Sequence, residues 1–140
     1  MSLRLPDHVR AFLDDERYAT IATTDPDGTP RQAAVWYALE GDEIVINSAI
    51  GRRWPSNLLR DPRISLAVVD AADGYRWVGL NGTVEAITDR AIAQADIAGM
   101  ARRYPEEEPG DREKDIARFE SQERISFRIT PTAIHDHLDS

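Results

Sequence analysis

Short stretches rich in threonine and β-branched residues, each ended by a turn, constrain the fold of this chain most strongly. Residues 18–24 form the first such stretch, and residues 25–30 (Asp-Pro-Asp-Gly-Thr-Pro) follow it. Proline presets φ and glycine accepts a positive φ, so this segment predicts a turn. A second strand is predicted over 31–39 and, after a turn, a third over 44–48. Three strands with tight connections predict an antiparallel meander.

The rest of the chain mixes strands with short helices. Strands are predicted over 64–69, 75–87 and 124–130, and Gly79 and Gly82 predict a bend in the longest of them. Helices are predicted near 7–13, 56–60, 89–103 (with Thr88 as N-cap) and 116–121, with an exposed loop at 105–115 and a polar tail at 131–140. The pattern predicts a mainly β protein: a small antiparallel six-stranded barrel with helices packed outside.

Length and charge limit the possible functions. The 140 residues suit one domain, 1–140, and a core of this size favours a dimer that buries more surface. A formal net charge of −8 argues against a nucleic-acid-binding surface. The absence of cysteine excludes disulfides, thiolate metal sites and cysteine nucleophiles. No apolar stretch approaches the ~20 residues that cross a bilayer, so no membrane partner and a cytoplasmic location are expected.

The segment 51–63 concentrates positive charge within this acidic chain. Arg52 and Arg53 offer planar guanidinium groups that fit phosphate or carboxylate oxygens. A helix that begins near Ser56 would add free N–H groups, and Asn47 and Ser48 at the preceding strand end can donate hydrogen bonds. The segment therefore predicts a site for a small anionic ligand. The alternative is a solvated loop with surface ion pairs.

Aromatic residues and histidines are the other side chains that could contribute chemistry. The rings of Trp36, Trp54 and Trp77 can wall a flat ring system, or else belong to the core or a dimer interface. His135 and His137 have the spacing of a ligand pair, but no third ligand is evident, so no metal is expected. No nucleophile or acid–base constellation is visible, and the catalytic residues are unknown. An enzyme of this kind would rely on a cofactor.

The order and spacing of several runs resemble the split β-barrel flavin and deazaflavin oxidoreductases, the superfamily of pyridoxamine 5′-phosphate oxidase. The similarity is greatest to its F420-dependent single-domain branch, and it covers about residues 5 to 131. The matching runs are 20–23, 27–30, 35–37, 47–53, 57–58, 60–66, 75–78, 82–84 and 102–104.

This resemblance implies an FMN-binding-like split barrel that forms a homodimer with cofactor sites at the subunit interface. It implies hydride transfer from reduced F420 to an electron-poor small-molecule acceptor, which the sequence does not identify. The alternatives are an FMN-dependent oxidoreductase of the same fold and a non-catalytic flavin- or deazaflavin-binding carrier protein. The implied cofactor-binding residues are Gln32, Ala33, Ala34, Val35 and Trp36 along the ring, Asn47, Ser48, Arg52, Arg53, Trp54 and Asn57 around the phosphate-bearing tail, and Tyr75 and Trp77 from the neighbouring subunit.

Two positions depart from the pattern of this family. Many relatives carry a lysine where Trp54 stands, and many have Thr-Pro where this chain has Ala33 and Ala34. The first change removes a cation from the anion site, so binding of the tail depends more on the arginines or on stacking by Trp54. The second change alters the expected backbone shape beside the ring.

Overall fold

The computed structural model describes residues 3–139, which form one antiparallel sheet and four helices. The elements in chain order are α1 (Asp7–Asp14), β1 (Ala19–Thr24), β2 (Pro30–Val35), β3 (Ala38–Glu40), β4 (Glu43–Ala49), α2 (Arg53–Arg60), β5 (Arg63–Val69), β6 (Trp77–Ile87), α3 (Arg90–Arg103), α4 (Asp111–Glu120) and β7 (Arg124–His137).

The sheet has the strand order β2-β1-β5-β6-β7-β4-β3 and forms a half-barrel. Its two edge strands, β2 and β3, follow one another in the chain. The short link of Trp36 and Tyr37 therefore brings the two edges of the sheet near each other. A gap remains in the barrel because β3 pairs only with Glu43–Val45 of β4. The residues of β4 after Val45 extend beyond Ala38, the first residue of β3.

The prediction of six strands is wrong, since the sheet described here has seven. The predicted strand 31–39 is divided into β2 and β3 at Trp36 and Tyr37. The Tyr37 N–H binds the hydroxyl of Tyr104 at 3.2 Å, and the Tyr37 hydroxyl donates to the Leu13 carbonyl at 2.8 Å. Because the Tyr37 N–H bonds to a side chain, it is not available for pairing between strands, and the chain bends at this residue.

Strands β6 and β7 form the longest pairing and bend together. The predicted bend at Gly82 is confirmed, because the register shifts between Asn81 and Gly82. A Cβ at Gly82 would lie 2.6 Å from the Thr130 carbonyl oxygen, so only glycine allows this approach. Strand β7 runs to His137 rather than ending at Thr130, and most of the predicted polar tail 131–140 therefore pairs with β6.

The helices lie where the sequence predicts them, but their first residues differ from the prediction. Helix α2 begins at Arg53, before Ser56, and Pro55 is accommodated because the first helical turn needs no N–H donor there. Asp89, rather than Thr88, caps α3, and its carboxylate accepts from the Ile92 N–H. Helix α4 begins at Asp111, inside the segment predicted as a loop.

Two apolar clusters hold these elements together. The larger fills the barrel, and Leu13, Ile21, Ile46 and Phe127 are among its fully buried residues. The smaller packs α3 and α4 against the outer side of the sheet, with Trp36 at its margin. Its buried members are Val45, Ile97, Met100, Ala101 and Phe119. Within the part of the chain that the structure describes, no helix is long and apolar enough to span a membrane.

Candidate functional site

A cavity of about 290 Å³ lies at the gap in the barrel, between the end of β2 and the free edge of β4. Beyond Val45, β4 has a partner only in β7 among residues 3–139, so its other backbone edge is open. Helix α4 lines the opposite side of the cavity. The lining residues are Ala34, Val35, Trp36, Asn47, Ser48, Arg52, Trp54, Ile97, Asp115, Arg118, Phe119 and Arg124.

The cavity unites the two ends of the predicted site. Three of the residues predicted beside the ring, Ala34, Val35 and Trp36, line it. The residues predicted around the anionic tail that also line it are Asn47, Ser48, Arg52 and Trp54. Ala33 packs partly buried against the barrel core instead. Residues eleven to twenty apart in sequence therefore share one opening in the sheet.

Asn47 and Ser48 are neighbours with different surroundings. The Asn47 side chain is buried, its Nδ2 donates to the Ala93 carbonyl and the Ser126 hydroxyl, and its Oδ1 accepts from Arg124 Nε, all at 2.9 Å. Its amide is therefore used to orient other groups. Ser48 is 2% exposed, and its Oγ is buried without a hydrogen-bond partner among the residues described. Because neighbouring strand residues alternate, Ser48 faces the barrel side of the sheet, where its partner Ile125 belongs to the core, and Asn47 faces the helices.

Arg124 is a cavity residue that the sequence analysis missed. It is buried, and its guanidinium donates to two neutral amide oxygens, Asn47 Oδ1 at 2.9 Å and Gln122 Oε1 at 2.7 Å. Burial, and then the like charges of Arg52 and Arg118, lower its pKa to about 10. The cavity lining carries three arginines, Arg52, Arg118 and Arg124, against one carboxylate, Asp115, inside a protein of net charge −8.

Arg118 was missed for the same reason as Arg124. Both lie more than fifty residues beyond the segment 51–63. Pairing of Ala49 with Arg124 brings Arg124 to the cavity, and packing of α4 against the sheet brings Arg118 there. Arg118 lies on α4 and pairs with Asp115 at 3.3 Å. The basic character of 118 and 124 was visible in the sequence, but strand pairing over that distance was not.

Aromatic rings form the side of the cavity near β2. Trp36 stacks on Tyr104, with ring centroids 5.2 Å apart and planes 10° apart, and Tyr104 stacks on Tyr18 at 5.3 Å. Trp54 is half-buried and packs against Phe127 of the barrel core at 5.8 Å. Trp36 and Trp54 are held in place by this packing, so they form rigid apolar walls.

Arg53 and Asn57 belong to a second cluster, centred on the buried carboxylate of Asp25. Asp25 accepts from Arg31 Nη2 at 2.9 Å, Asn57 Nδ2 at 2.9 Å and Arg53 Nη1 at 3.3 Å. Hydrogen bonds from Arg31 and Asn57, with smaller contributions from the charges of Arg31 and Arg53, lower the pKa of Asp25 to about 2. We call these residues, with Thr23, the Asp25 cluster. It joins the β1–β2 turn to α2.

Three other predicted residues lie away from the barrel gap. Gln32 and Trp77 line a separate cavity of about 210 Å³ on the outer side of the sheet, where Trp77 stacks on His137 at 4.1 Å. Tyr75 is 86% exposed in the β5–β6 connection. Over residues 3–139 no group of three or more His, Cys, Asp or Glu side chains is arranged to hold a metal ion.

Comparison with known proteins agrees with this architecture. The family model for pyridoxamine 5′-phosphate oxidase matches residues 5–137. An F420H(2)-dependent biliverdin reductase of Mycobacterium tuberculosis is 29% identical over 110 residues, which are 78% of this chain and 79% of that protein.

Two solved structures are similar along almost the whole chain. One is named as an F420 reductase, with a TM-score of 0.75 and 28% identity over 94% of this chain and 98% of the other. The second is a conserved hypothetical protein from Mycobacterium tuberculosis, with a TM-score of 0.77 and 24% identity over 97% and 87% of the two chains. The family model covers nearly all of the residues that the structure describes. The chain therefore belongs to the pyridoxamine 5′-phosphate oxidase family.

Proposed function

We propose that this protein is an F420-dependent oxidoreductase that transfers a hydride from the reduced deazaflavin to an electron-poor small-molecule acceptor. The observation that supports it best is the positively charged cavity at the barrel gap, which unites most of the residues implied by the family resemblance. Two similar proteins are named as F420-dependent biliverdin reductase and F420 reductase. We favour F420 over FMN because both of these similar proteins are named for F420.

The cavity residues fit the two chemical halves of such a cofactor. Ala34, Val35 and Trp36, which line the cavity, and Gln32 and Ala33, which precede them on β2, would lie along the ring system. Arg52, with Arg53 and Asn57 at the start of α2, would meet the tail phosphate. The Arg53 side chain is 61% exposed and uses one terminal nitrogen for Asp25, so other donors remain.

The cofactor supplies the hydride, and the protein supplies position and a dry environment. Trp36 and Trp54 present rigid apolar surfaces that exclude water from the ring. Tyr104 lies beside Trp36, but its hydroxyl is bound between the Tyr37 N–H and the Arg17 carbonyl, and burial raises its pKa. Tyr104 therefore serves as a support for Trp36 in this proposal and not as an acid.

We also propose that 1–140 acts as one cofactor-binding domain in a homodimer. The outer side of the sheet carries Trp77 and a cavity, and Tyr75 lies exposed nearby. These groups would contact the cofactor of a second copy. Light scattering after gel filtration measures the mass, and a monomer at all concentrations would contradict this part.

The experiment that tests the cofactor is a pair of fluorescence titrations with F420 and with FMN. We expect binding of F420 in the micromolar range or tighter and weaker binding of FMN. Protein that binds FMN alone would support the FMN-dependent alternative. The protein would be a carrier if it binds F420 but transfers no hydride from reduced F420 to any acceptor in a panel of enones, quinones and tetrapyrroles.

A further inference from the structure

We propose that a second cavity, beside the first, binds the acceptor, and that this acceptor is a flat aromatic molecule that carries a positive charge. The inference deepens the proposed function, on which it rests for the role of the ligand. The second cavity has a volume of about 370 Å³ and lies where α3 ends and α4 begins. We call it the α3–α4 cavity. Sites for small organic ligands have volumes of this order.

The first observation is that the α3–α4 cavity adjoins the cavity at the barrel gap. Trp36 and Asp115 line both of them. Trp36 belongs to the segment that the proposed function assigns to the cofactor ring, so a ligand in the α3–α4 cavity would lie next to that ring. An acceptor has to lie close to the ring to receive a hydride. The shared residues therefore favour the acceptor as the occupant.

The second observation is the aromatic wall of the α3–α4 cavity. Tyr18, Trp36 and Tyr104 line it, and stacking joins Tyr104 to the other two rings. Tyr104 is 2% exposed and anchors its neighbours, whereas Tyr18 is 62% exposed. Much of the Tyr18 ring therefore remains free to contact a ligand. Aromatic rings pack well against other flat rings, so this wall fits an aromatic acceptor.

The third observation is the charge of the lining. Four carboxylates line the α3–α4 cavity against one guanidinium, that of Arg112. Arg112 also holds the chain together, because its Nε donates to the Ala101 carbonyl and its Nη2 to the Tyr104 carbonyl, both at 2.9 Å. The four carboxylates are those of Glu106, Glu107, Asp111 and Asp115.

Only two of these carboxylates have a cationic partner among residues 3–139. Glu106 lies 3.8 Å from Arg112, and Asp115 lies 3.3 Å from Arg118. Asp111 accepts from the Glu108 N–H, which is a neutral donor, and the Glu107 side chain is exposed. An excess of two negative charges is therefore left for a positively charged ligand.

The two cavities thus differ in the sign of the charge that they favour. The lining of the first has three arginines against Asp115, whereas that of the second has four carboxylates against Arg112. Carboxylates repel an anion, so the α3–α4 cavity would reject the anionic tail of the cofactor and attract a cation. The charge difference would direct each ligand to its own side of Trp36.

NMR titrations of three small probes with cofactor-free protein test the charge preference. Wild type should bind benzyltrimethylammonium more tightly than benzyl alcohol, and phenylacetate least. Glu107→Gln should weaken the cation about threefold and leave benzyl alcohol unchanged, because one exposed carboxylate is lost. Glu113→Gln is the matched control, since Glu113 is exposed on α4 outside the lining. Equal affinity of all three proteins for the cation would overturn the inference.

Tyr18→Ala tests the aromatic wall. The variant should fold normally, because most of the Tyr18 ring is exposed. It should weaken benzyltrimethylammonium about fivefold and tetramethylammonium, which has no ring, less. Unchanged affinity for benzyltrimethylammonium would show that the ring does not contact the ligand and would contradict the aromatic part of the proposal.

Steady-state kinetics with reduced F420 test whether the bound cation occupies the place of the acceptor. Benzyltrimethylammonium should raise the KM of a quinone acceptor and leave kcat unchanged. A quinone with a trimethylammonium side chain should have a lower KM than one with a carboxylate, and Glu107→Gln should reduce this difference. Binding of the cation without competition would overturn the assignment as an acceptor site.

These outcomes differ from failure of the proposed function. Protein that binds the cation in a Glu107-dependent way but does not bind F420 would retain the cation site and lose the F420 assignment. Protein that binds F420 but shows no preference among the three probes would retain the assignment and lose the inference.

Discussion

The Asp25 cluster and the cavity arginines place the same residue type in opposite electrostatic surroundings. In the first, the carboxylate of Asp25 accepts hydrogen bonds from Arg31 and Arg53. In the second, the buried Arg124 has only neutral hydrogen-bond partners, and Asp115 pairs with Arg118 alone. Arginines bound to a buried carboxylate stabilise a turn, whereas arginines without one remain able to bind a ligand.

The largest effect should come from removing the carboxylate at the centre of the first cluster. Asp25→Asn leaves Arg31 and Arg53 without their shared partner and disturbs Asn57, which also donates to Thr23. We expect thermal unfolding to begin several degrees lower. Asp61→Asn is the control, because its partner Arg63 is 77% exposed. An equal loss in both variants would show that the Asp25 cluster is no more than a surface ion pair.

The next effect concerns affinity and compares two neighbouring arginines. Arg52 lines the cavity, whereas Arg53 donates to Asp25. Arg52→Gln should weaken F420 about tenfold or more, and Arg53→Gln should weaken it less. Fluorescence titrations of both variants at one salt concentration give the comparison. A larger effect at Arg53 would mean that Asp25 gives up this arginine when the cofactor binds, so that the two clusters act as one.

Acid should weaken the Asp25 cluster. The pKa of Asp25 is lowered from 3.8 to about 2, so the folded state keeps this group ionised where the unfolded chain protonates it. Its contribution is therefore complete above about pH 4 and is lost as the pH falls towards 2. Urea midpoints measured across this range should fall more steeply in wild type than in Asp25→Asn. Parallel pH profiles would contradict the assignment.

The smallest effect should come from an arginine of the cavity. Arg118 is 62% exposed and pairs with Asp115 on the same helix. Arg118→Gln should change the free energy of unfolding by no more than about 0.5 kcal/mol, as for other exposed helix pairs. Urea denaturation measures it. A loss as large as that of Asp25→Asn would remove the distinction between the two groups of arginines.

Much of the fold could be predicted because it depends on local signals. The turn at 25–30, the alternation before Thr130 and the glycine at 82 each specify backbone shape within a few residues. The division of 31–39 into two strands could not be predicted. It depends on hydrogen bonds from Tyr37 to Leu13 and Tyr104, which lie at positions distant in the chain.

The same difference between local signals and contacts distant in the chain applies to the prediction of the site. Family resemblance indicated Arg52, Ser48 and Trp36, and the structure brings them to one cavity. Arg118 and Arg124 were not predicted as site residues, because their position in the cavity depends on the pairing of β4 with β7 and on the packing of α4. Whether Arg53, Asn57, Gln32, Tyr75 and Trp77 contact a cofactor stays a prediction.

The position of β7 in the sheet has a consequence for the order of folding. Without β7, the strand order separates into a four-stranded piece, β2-β1-β5-β6, and a two-stranded piece, β4-β3. Only pairing of β7 with both β6 and β4 joins them, and contacts between strands this distant in sequence form slowly. A nascent chain would therefore expose two incomplete sheets, with open edges prone to aggregation, until residues 124–137 have been synthesised.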